Sequence, residues 1–425
     1  MGLNSFNTPN VFLKMVGVYL GDELQIPSLM FKGVGEEFAK ANNNGYKPGD
    51  QVTMERPPRF VPKRGLSYVA QPIIKQKMPI TVQRTAHIGF DWGAVERTLT
   101  ISATADLAKQ SAIDLASMVN AEAATFCADN AMHSVGTPGT PPTDEIPYLA
   151  ARDLIIASGL PRNEKLRLVT NARMSSAFIT GTKGLQNPTG IISRQWDTGE
   201  MQRSLGLSSV VFDELINTHT VGTFSGTILV KGANQTAEGG DNATMDLIID
   251  GITASLKRGD KFILGSASSA TVNGVRRTYP RGGEESIGRP DSGYQQIFTV
   301  VNDKTDTSGD MTVTVRPAIT ISGPYQNMVA APVDNAILTM IGTTGVVGKQ
   351  ALLMHKMAFG FVSVPLYKPD TSRGALVTAM TDPDTGLSIQ MVQQYEGRES
   401  EEINKLQILY DFAVLYPELA AVIQG

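Results

Sequence analysis

Residues 107–133, LAKQSAIDLASMVNAEAATFCADNAMH, organise the fold of this 425-residue chain. Eight of these residues are alanine, the strongest helix former. Leu115, Val119 and Phe126 recur at helical spacing and give the segment one apolar face. Gly136 follows as the predicted end of the helix. The segment predicts a single helix about 40 Å long, at about 1.5 Å per residue.

Upstream of this helix, residues 46–92 predict two extended stretches around a proline-rich turn, which we call the hairpin. Between positions 51 and 84 a single acid, Glu55, faces seven basic residues: Arg56, Arg59, Lys63, Arg64, Lys75, Lys77 and Arg84. This local excess of positive charge stands out in a chain whose net charge is -4. Two interpretations stay open, a solvated hairpin or a projecting arm that lies on an acidic partner surface. Prolines at its tip suit an edge that must not aggregate freely.

The N-terminal segment, residues 1–45, mixes short apolar stretches with polar breaks. Residues 11–20 are mostly apolar, with Val11, Phe12, Leu13, Met15, Val16 and Val18 among them, but are too short for an independently stable helix. The segment is therefore expected to be an arm that docks on another surface, or a helix that covers a distant core.

Downstream, residues 148–220 predict mixed helix and strand, and the composition changes near Gly222. From there to about Gly342 the chain, which we call the insert, is rich in Gly, Ser and Thr. Turn signals separate short β-prone runs at 227–230, 245–249, 261–264, 296–301, 311–315 and 336–340. This pattern predicts an all-β module, most simply a barrel. Mixed character resumes after Gly348, and alternating apolar residues over 406–414 predict a strand with one buried face.

Composition and motifs point away from several classes of protein. The charge is not that of a dedicated nucleic-acid binder, and no run approaches the roughly 18 apolar residues of a membrane span. Residues 1–10 do not resemble a secretory signal, so we expect a reducing cytoplasm. Cys127 is the single cysteine and is predicted to be a buried hydrophobe. No catalytic constellation, metal site or cofactor site emerges, so the chain is not expected to be an enzyme.

Short motifs in the insert carry a family resemblance. Residues 257–262 read KRGDKF, 270–273 read ATVN, 298–301 read FTVV, 315–319 read VRPAI and 323–327 read GPYQN. With the order of the segments, they resemble the major capsid (coat) proteins of tailed bacteriophages. The likeness is closest to the Salmonella podophage (P-twenty-two) coat protein family. The fold implied is α+β, the Hong Kong-97-like capsid fold with an inserted all-β, barrel-like domain.

The resemblance implies a division of the chain into seven segments. These are the N-terminal arm (1–45), the extended loop (46–92), the peripheral domain with its spine helix (93–147), the axial domain (148–221), the insertion domain (222–342), the continued axial domain (343–372) and the closing strands of the peripheral domain (373–425).

The resemblance also implies a function and partners. The chain would self-assemble into hexamers and pentamers of an icosahedral shell that holds the genome. Expected partners are a scaffolding protein, a portal protein, packaged double-stranded DNA through non-specific proximity and a decoration protein, with no membrane. The place would be the virion capsid, assembled in the host cytoplasm. A non-viral, encapsulin-like nanocompartment shell is the first alternative, and an enzyme with an unrecognised site is the second.

Two sets of contact residues follow from the resemblance. The candidates for contacts between subunits are Arg56, Arg59, Lys63 and Arg64 in the hairpin, and Asp241 and Asp246 in the insert. The candidates for contacts with a scaffolding protein are Asp22, Glu23, Glu36 and Glu37.

Overall fold

A computed structural model describes residues 9–32, 52–66, 70–93, 104–160, 164–182, 207–265, 274–280, 289–368, 375–381, 386–398 and 400–425. The chain forms two compact units. The first comprises Met1–Met54, Met78–Ala123 and Gly360–Ala413, and the second comprises Glu55–Lys77, Ala124–Phe359 and Val414–Gly425.

The described residues contain five α-helices: α1 (Pro9–Glu23), α2 (Gln25–Leu29), α3 (Thr104–Asn130), α4 (Ile146–Ala157) and α5 (Ala172–Thr182). Helix α3 is the long alanine-rich helix expected from the sequence, with both ends within one turn of the predicted bounds. Its buried positions, among them Ala112, Leu115 and Val119, recur every three or four residues, as one face of a helix requires.

The described strands up to the middle of the insert are β1 (Val52–Glu55), β2 (Lys77–Ile80), β3 (Arg84–Gly93), β4 (His133–Val135), β5 (Leu166–Thr170), β6 (Leu207–Phe212), β7 (Thr218–Thr220), β8 (Thr223–Ser225), β9 (Ile228–Val230), β10 (Met245–Leu256) and β11 (Lys261–Leu264). The later strands are β12 (Arg276–Thr278), β13 (Asp291–Gln295), β14 (Ile297–Val300), β15 (Lys304–Arg316), β16 (Ile337–Met340), β17 (Val347–His355), β18 (Phe359–Ser363), β19 (Leu376–Thr381), β20 (Ser388–Glu396), β21 (Glu401–Val414) and β22 (Ala420–Gln424).

The first unit is built on a sheet in the order β18-β21-β20-β19, with β3 also paired to β21. Leu406, Ile408 and Tyr410 in β21 are fully buried, which confirms the predicted alternation. Helix α1 packs on β19 and β20 and buries Phe12, Leu13, Val16 and Leu20. Helix α1 is therefore stabilised by this sheet rather than by its own length.

The second unit contains a sheet in the order β4-β22-β17-β5-β6, with β7 paired to β17. Its outer pairs, β22 with β4 and β5 with β6, are parallel, whereas β17 runs antiparallel to both neighbours. Helix α4 packs against β22 and β4. All five residues of β22 are buried, as expected of a central strand.

The insert forms a closed barrel of six strands within the second unit. Its strands follow the order β15-β14-β11-β16-β9-β10, and pairing of β10 with β15 closes the ring, while β8 adds to β10. Stacked rings of Phe262 and Phe298, with centroids 5.6 Å apart, lie in its apolar core. The barrel-like all-β module expected from the sequence is thus confirmed, and closure removes the exposed edges of an open sheet.

Candidate functional site: an ionic junction between the hairpin and the insert

A buried ion pair holds the base of the hairpin. Arg56 Nη2 donates to Glu418 Oε1 at 2.5 Å, and the two residues are 5% and 2% exposed. The guanidinium also lies over the ring of Tyr416, 4.1 Å from its centroid. Burial acts to lower the pKa of Arg56, but the nearby Glu418 and Asp241 carboxylates outweigh it and raise the pKa above its ordinary value. Loss of one partner would leave a buried charge uncompensated, so this pair fixes the start of the hairpin.

The returning arm of the hairpin is tied to the insert. Gln76 accepts from Arg56 Nη1 at 3.3 Å, and its own amide donates to the carbonyl of Gly239. The hydroxyl of Tyr325 donates to the carbonyl of Ile74 at 2.7 Å. Both arms are therefore anchored at their base, on one side by Glu418 and on the other by the barrel.

Asp241 is the acidic centre of the junction. Its two carboxylate oxygens accept from Arg277 Nη1 and Nη2, each at 3.1 Å, and Asn327 Nδ2 lies 3.3 Å from Oδ1. Burial acts to raise the pKa of Asp241, but Arg277, Arg59 and Arg56 together lower it below its ordinary value. The carboxylate is thus held ionised by a bidentate arginine, the strongest common form of ion pair.

Backbone geometry explains how Asp241 reaches this position. Gly239 and Gly240 have φ of 111° and 67°, in the left-handed region that favours glycine. A Cβ on Gly240 would lie 2.8 Å from the carbonyl oxygen of Tyr325. Only glycine allows this close approach, and the following short 3-10 turn, Gly240–Asn242, directs Asp241 inward.

A second group of charges joins the end of α3 to the barrel. Arg258 Nε lies 3.0 Å from Asp129 Oδ2. Lys261, only 2% exposed, donates from Nζ to the carbonyl of Ala131 at 2.5 Å and to Thr299 Oγ1 at 3.1 Å. Burial lowers the pKa of Lys261 to about 7, against a smaller opposing effect of Asp129. The Arg258 guanidinium near the carboxyl end of α3 also complements the helix dipole.

Asp260 joins the barrel to β7 nearby. His219 Nε2 lies 2.8 Å from Asp260 Oδ1, and the backbone N–H groups of Gly222 and Lys257 donate to the same carboxylate at 2.8 to 3.1 Å. The motif at 257–262, singled out in the sequence, therefore supplies the charges that connect the barrel to the rest of its unit.

The structure brings together three of the six residues predicted to contact other subunits. Arg56, Arg59 and Asp241 lie in the ionic junction, with Arg59 Nη2 3.7 Å from Glu418 Oε1. The charged partners of these three residues belong to the same chain. The expectation that Glu55 was the one carboxylate available to pair with the basic residues of the hairpin is therefore corrected. Lys63 is half-buried and Arg64 exposed.

The remaining predicted residues lie elsewhere. Asp246 is exposed on the barrel and accepts from Thr314 Oγ1 at 2.7 Å. Asp22 and Glu23 are exposed at the end of α1, and Glu36 and Glu37 lie outside the described residues. The roles of all ten residues at other subunits or at a scaffolding protein stay predictions.

Sequence reasoning missed Arg277 and Glu418, and it named Lys261 only as part of the motif at 257–262. Glu418 is separated from Arg56 by 362 residues, so no local pattern could connect them. The paired glycines before Asp241 were the one available signal of a constrained acidic position. Among the described residues, no helix has the length and apolar character needed to cross a membrane, and no group of three or more His, Cys, Asp and Glu side chains is arranged to hold a metal ion.

Comparisons with solved structures returned proteins from phages, phage capsids among them, and a virus-like particle from Pyrococcus furiosus. The chain is 12% identical to a protein of Mycobacterium phage Che8, covering 94% of this chain and 90% of that one, with a TM-score of 0.45. It is 9% identical to a protein of the capsid of cyanophage P-SCSP1u, covering 89% of this chain and 84% of that one, with a TM-score of 0.39. The chain is 7% identical to a protein of the mature capsid of bacteriophage PhiM1, covering 88% of this chain and 82% of that one, with a TM-score of 0.41. No curated protein sequence matches this chain.

This chain belongs to the class of viral shell proteins. The family model described as "P22 coat protein - gene protein 5" matches residues 41–424, nearly the whole chain. The chain belongs to the P22 coat protein family. It is a major capsid protein of tailed bacteriophages, and the resemblance noted in the sequence is confirmed. The family is structural, and the nanocompartment alternative is not favoured.

Proposed function

We propose that copies of this chain assemble through hexamers and pentamers into an icosahedral shell around a double-stranded DNA genome. A scaffolding protein directs assembly in the host cytoplasm, and a portal protein occupies one vertex. The DNA meets the shell without specific recognition. The observation that carries this proposal is the family match over residues 41–424.

The tip of the hairpin supports a role in assembly. Phe60 is 53% exposed, Ile73 is 68% exposed and Leu66 is fully exposed. The base of the same hairpin is fixed by buried ionic contacts. A rigid base that presents apolar side chains to solvent is typical of a surface that a partner covers. We assign that partner as a neighbouring subunit of the shell.

The seven segments expected from the sequence belong to the same proposal. Residues 46–92 serve as the extended loop, and residues 222–342 serve as the insertion domain. The six observed barrel strands run from Ile228 to Met340, and β8, which pairs with β10, begins at Thr223; both support these bounds for the insertion domain.

Co-expression tests the proposal. The chain is produced with and without its scaffolding protein, and the products are separated by sedimentation and imaged by electron microscopy. We expect closed shells with fivefold and sixfold capsomers in the presence of scaffolding protein, and fewer or irregular particles in its absence. A stable monomer under every assembly condition would contradict the proposal.

A further inference from the structure

A pocket of about 480 Å³ opens beside the ion pair of Arg56 and Glu418. Its walls include Arg59, Phe60, Pro280, Arg289, Tyr416 and Glu418, all in the second unit. The volume lies in the range of sites that bind a ligand or a few residues of a peptide. The ion pairs at the base of the hairpin do not account for this space.

The charges around the pocket are unbalanced. Among the described residues, the interacting side chains are four arginines, Arg56, Arg59, Arg277 and Arg289, and two carboxylates, Asp241 and Glu418. Burial, and after it the neighbouring Arg59, lower the pKa of Arg289 below its ordinary value. Partly buried charges are costly unless they are paired. An additional carboxylate in the pocket would pair with this excess.

Two residues that line the pocket each carry a buried side-chain atom that lacks a hydrogen-bond partner among the described residues. Arg289 Nη1 has no acceptor, and Glu418 Oε2 has no donor. Glu418 is 2% exposed. A ligand that satisfies both atoms must offer an acceptor to the arginine and a donor to the carboxylate. A peptide segment with an acidic side chain provides both, through its carboxylate and its backbone N–H groups.

We propose that this pocket receives the acidic turn at residues 394–402 of a second copy of the chain. The inference rests on the proposed shell function, since self-association supplies the second copy. Positions 396–402 read EGRESEE, four glutamates in seven residues, the densest acidic run of the sequence. Glu396 is exposed at the end of β20, and its neighbour Tyr395 is 62% exposed. An exposed aromatic ring beside a carboxylate matches a pocket with both arginine and apolar walls.

A DNA backbone is the other polyanion near such a shell, and it fits the pocket less well. Phosphate oxygens accept hydrogen bonds but donate none, so they would leave Glu418 Oε2 without a partner. Duplex phosphates also lie on a broad convex surface, whereas the pocket is concave. The acidic peptide is therefore the occupant that the observed atoms favour.

Cross-linking in assembled shells tests the inference. Cys127 is the only cysteine and is buried, so its replacement by alanine gives a background without thiols. Phe60→Cys at the pocket is combined with Glu396→Cys at the turn, and shells are oxidised mildly before non-reducing electrophoresis. We expect covalent dimers and a ladder of larger species. The matched control combines Phe60→Cys with Lys14→Cys, an exposed position on α1, and should remain largely monomeric.

A charge test complements the cross-link. Arg289→Gln should slow shell assembly about tenfold at low salt and weaken its salt dependence, because one steering charge is lost. Arg276→Gln is the control, since Arg276 already pairs with Asp291 at 3.1 Å, and it should assemble at the normal rate.

The outcomes separate the inference from the shell function. Normal shells without an intermolecular cross-link, or a cross-link confined to one chain, would overturn the inference and leave the shell function intact. Normal assembly of Arg289→Gln with loss of DNA retention would assign the pocket to phosphate and would also overturn it. Failure of the unaltered chain to form shells would remove both proposals.

Discussion

Replacement of Lys261 by methionine should abolish a pH dependence of stability in the second unit. The folded chain lowers the pKa of this lysine to about 7 from an ordinary value near 10.5. Between these values the unfolded chain binds the proton and the folded chain does not. The free energy of unfolding must therefore rise with pH in this window, by about 1.4 kcal/mol per pH unit. Below about pH 7 both states are protonated and the dependence disappears.

From about pH 8 to about pH 9.5 the gain that Lys261 contributes is about 2 kcal/mol. Methionine has a similar length and no ionisable group, so Lys261→Met should lose this gain. Lys257→Met, the same change at an exposed position four residues earlier, should keep the wild-type slope. Other buried groups of this unit, such as the Cys127 thiol, whose pKa burial raises well above its ordinary value, contribute equally to the wild type and to Lys261→Met, so the difference between the two chains isolates Lys261.

The measurement is urea unfolding at several pH values, followed by hydrogen–deuterium pulse labelling at one fixed pH. Peptides that cover residues 127–133 and 257–264 report on both sides of the Lys261 contacts. The refuting result is an equal pH dependence in wild type and Lys261→Met. Such a result would mean that Lys261 is charged in the folded chain, or that the contact with Ala131 is not formed.

Three further predictions concern the junction, the hairpin and the insert. Asp241→Asn should lower the free energy of unfolding by about 3–5 kcal/mol, because it leaves Arg277 buried without its carboxylate partner. The control is Asp246→Asn at an exposed position, which should change the free energy of unfolding by less than about 0.5 kcal/mol in the same urea titration. Equal effects of the two variants would argue against the junction. Lys63→Glu combined with Arg64→Glu should leave the circular dichroism spectrum unchanged but slow assembly at low salt. High salt should slow assembly of the wild type in the same way, because it screens charges over about 10 Å. Normal assembly kinetics of the double variant, followed by light scattering, would show that this part of the hairpin is a solvated loop. Residues 222–342 expressed alone should give a β-type spectrum and melt cooperatively, since the barrel closes on its own strands; a random-coil spectrum would disprove its autonomy.

Local patterns in the sequence predicted the elements that depend on local physics. The alanine run gave α3, the alternation over 406–414 gave the buried face of β21, and the spaced β-prone runs gave the barrel. These patterns work because helix propensity and strand alternation act within a few residues. Helix α1 was predicted only as one of two alternatives, because its stability comes from a sheet formed by residues far along the chain.

The candidate site was less predictable, because its contacts are long-range. A count of charges near the hairpin found only Glu55, whereas the buried partner of Arg56 is Glu418, near the end of the sequence. Likewise, Lys261 reads as a polar residue at the start of a strand, and only the packed structure shows that it is buried against Ala131. The sequence does not reveal which charged residues pair when the partners are brought together by the fold.

The most direct test of the central claim, that this coat protein assembles through its anchored hairpin, is a high-resolution cryo-electron microscopy map of the assembled shell. The account predicts that Arg56 and Glu418 of each subunit remain paired within the chain, while Phe60 and Leu66 at the exposed tip contact a neighbouring subunit. A map in which the tip lies in solvent, or in which Arg56 pairs with another subunit, would contradict it.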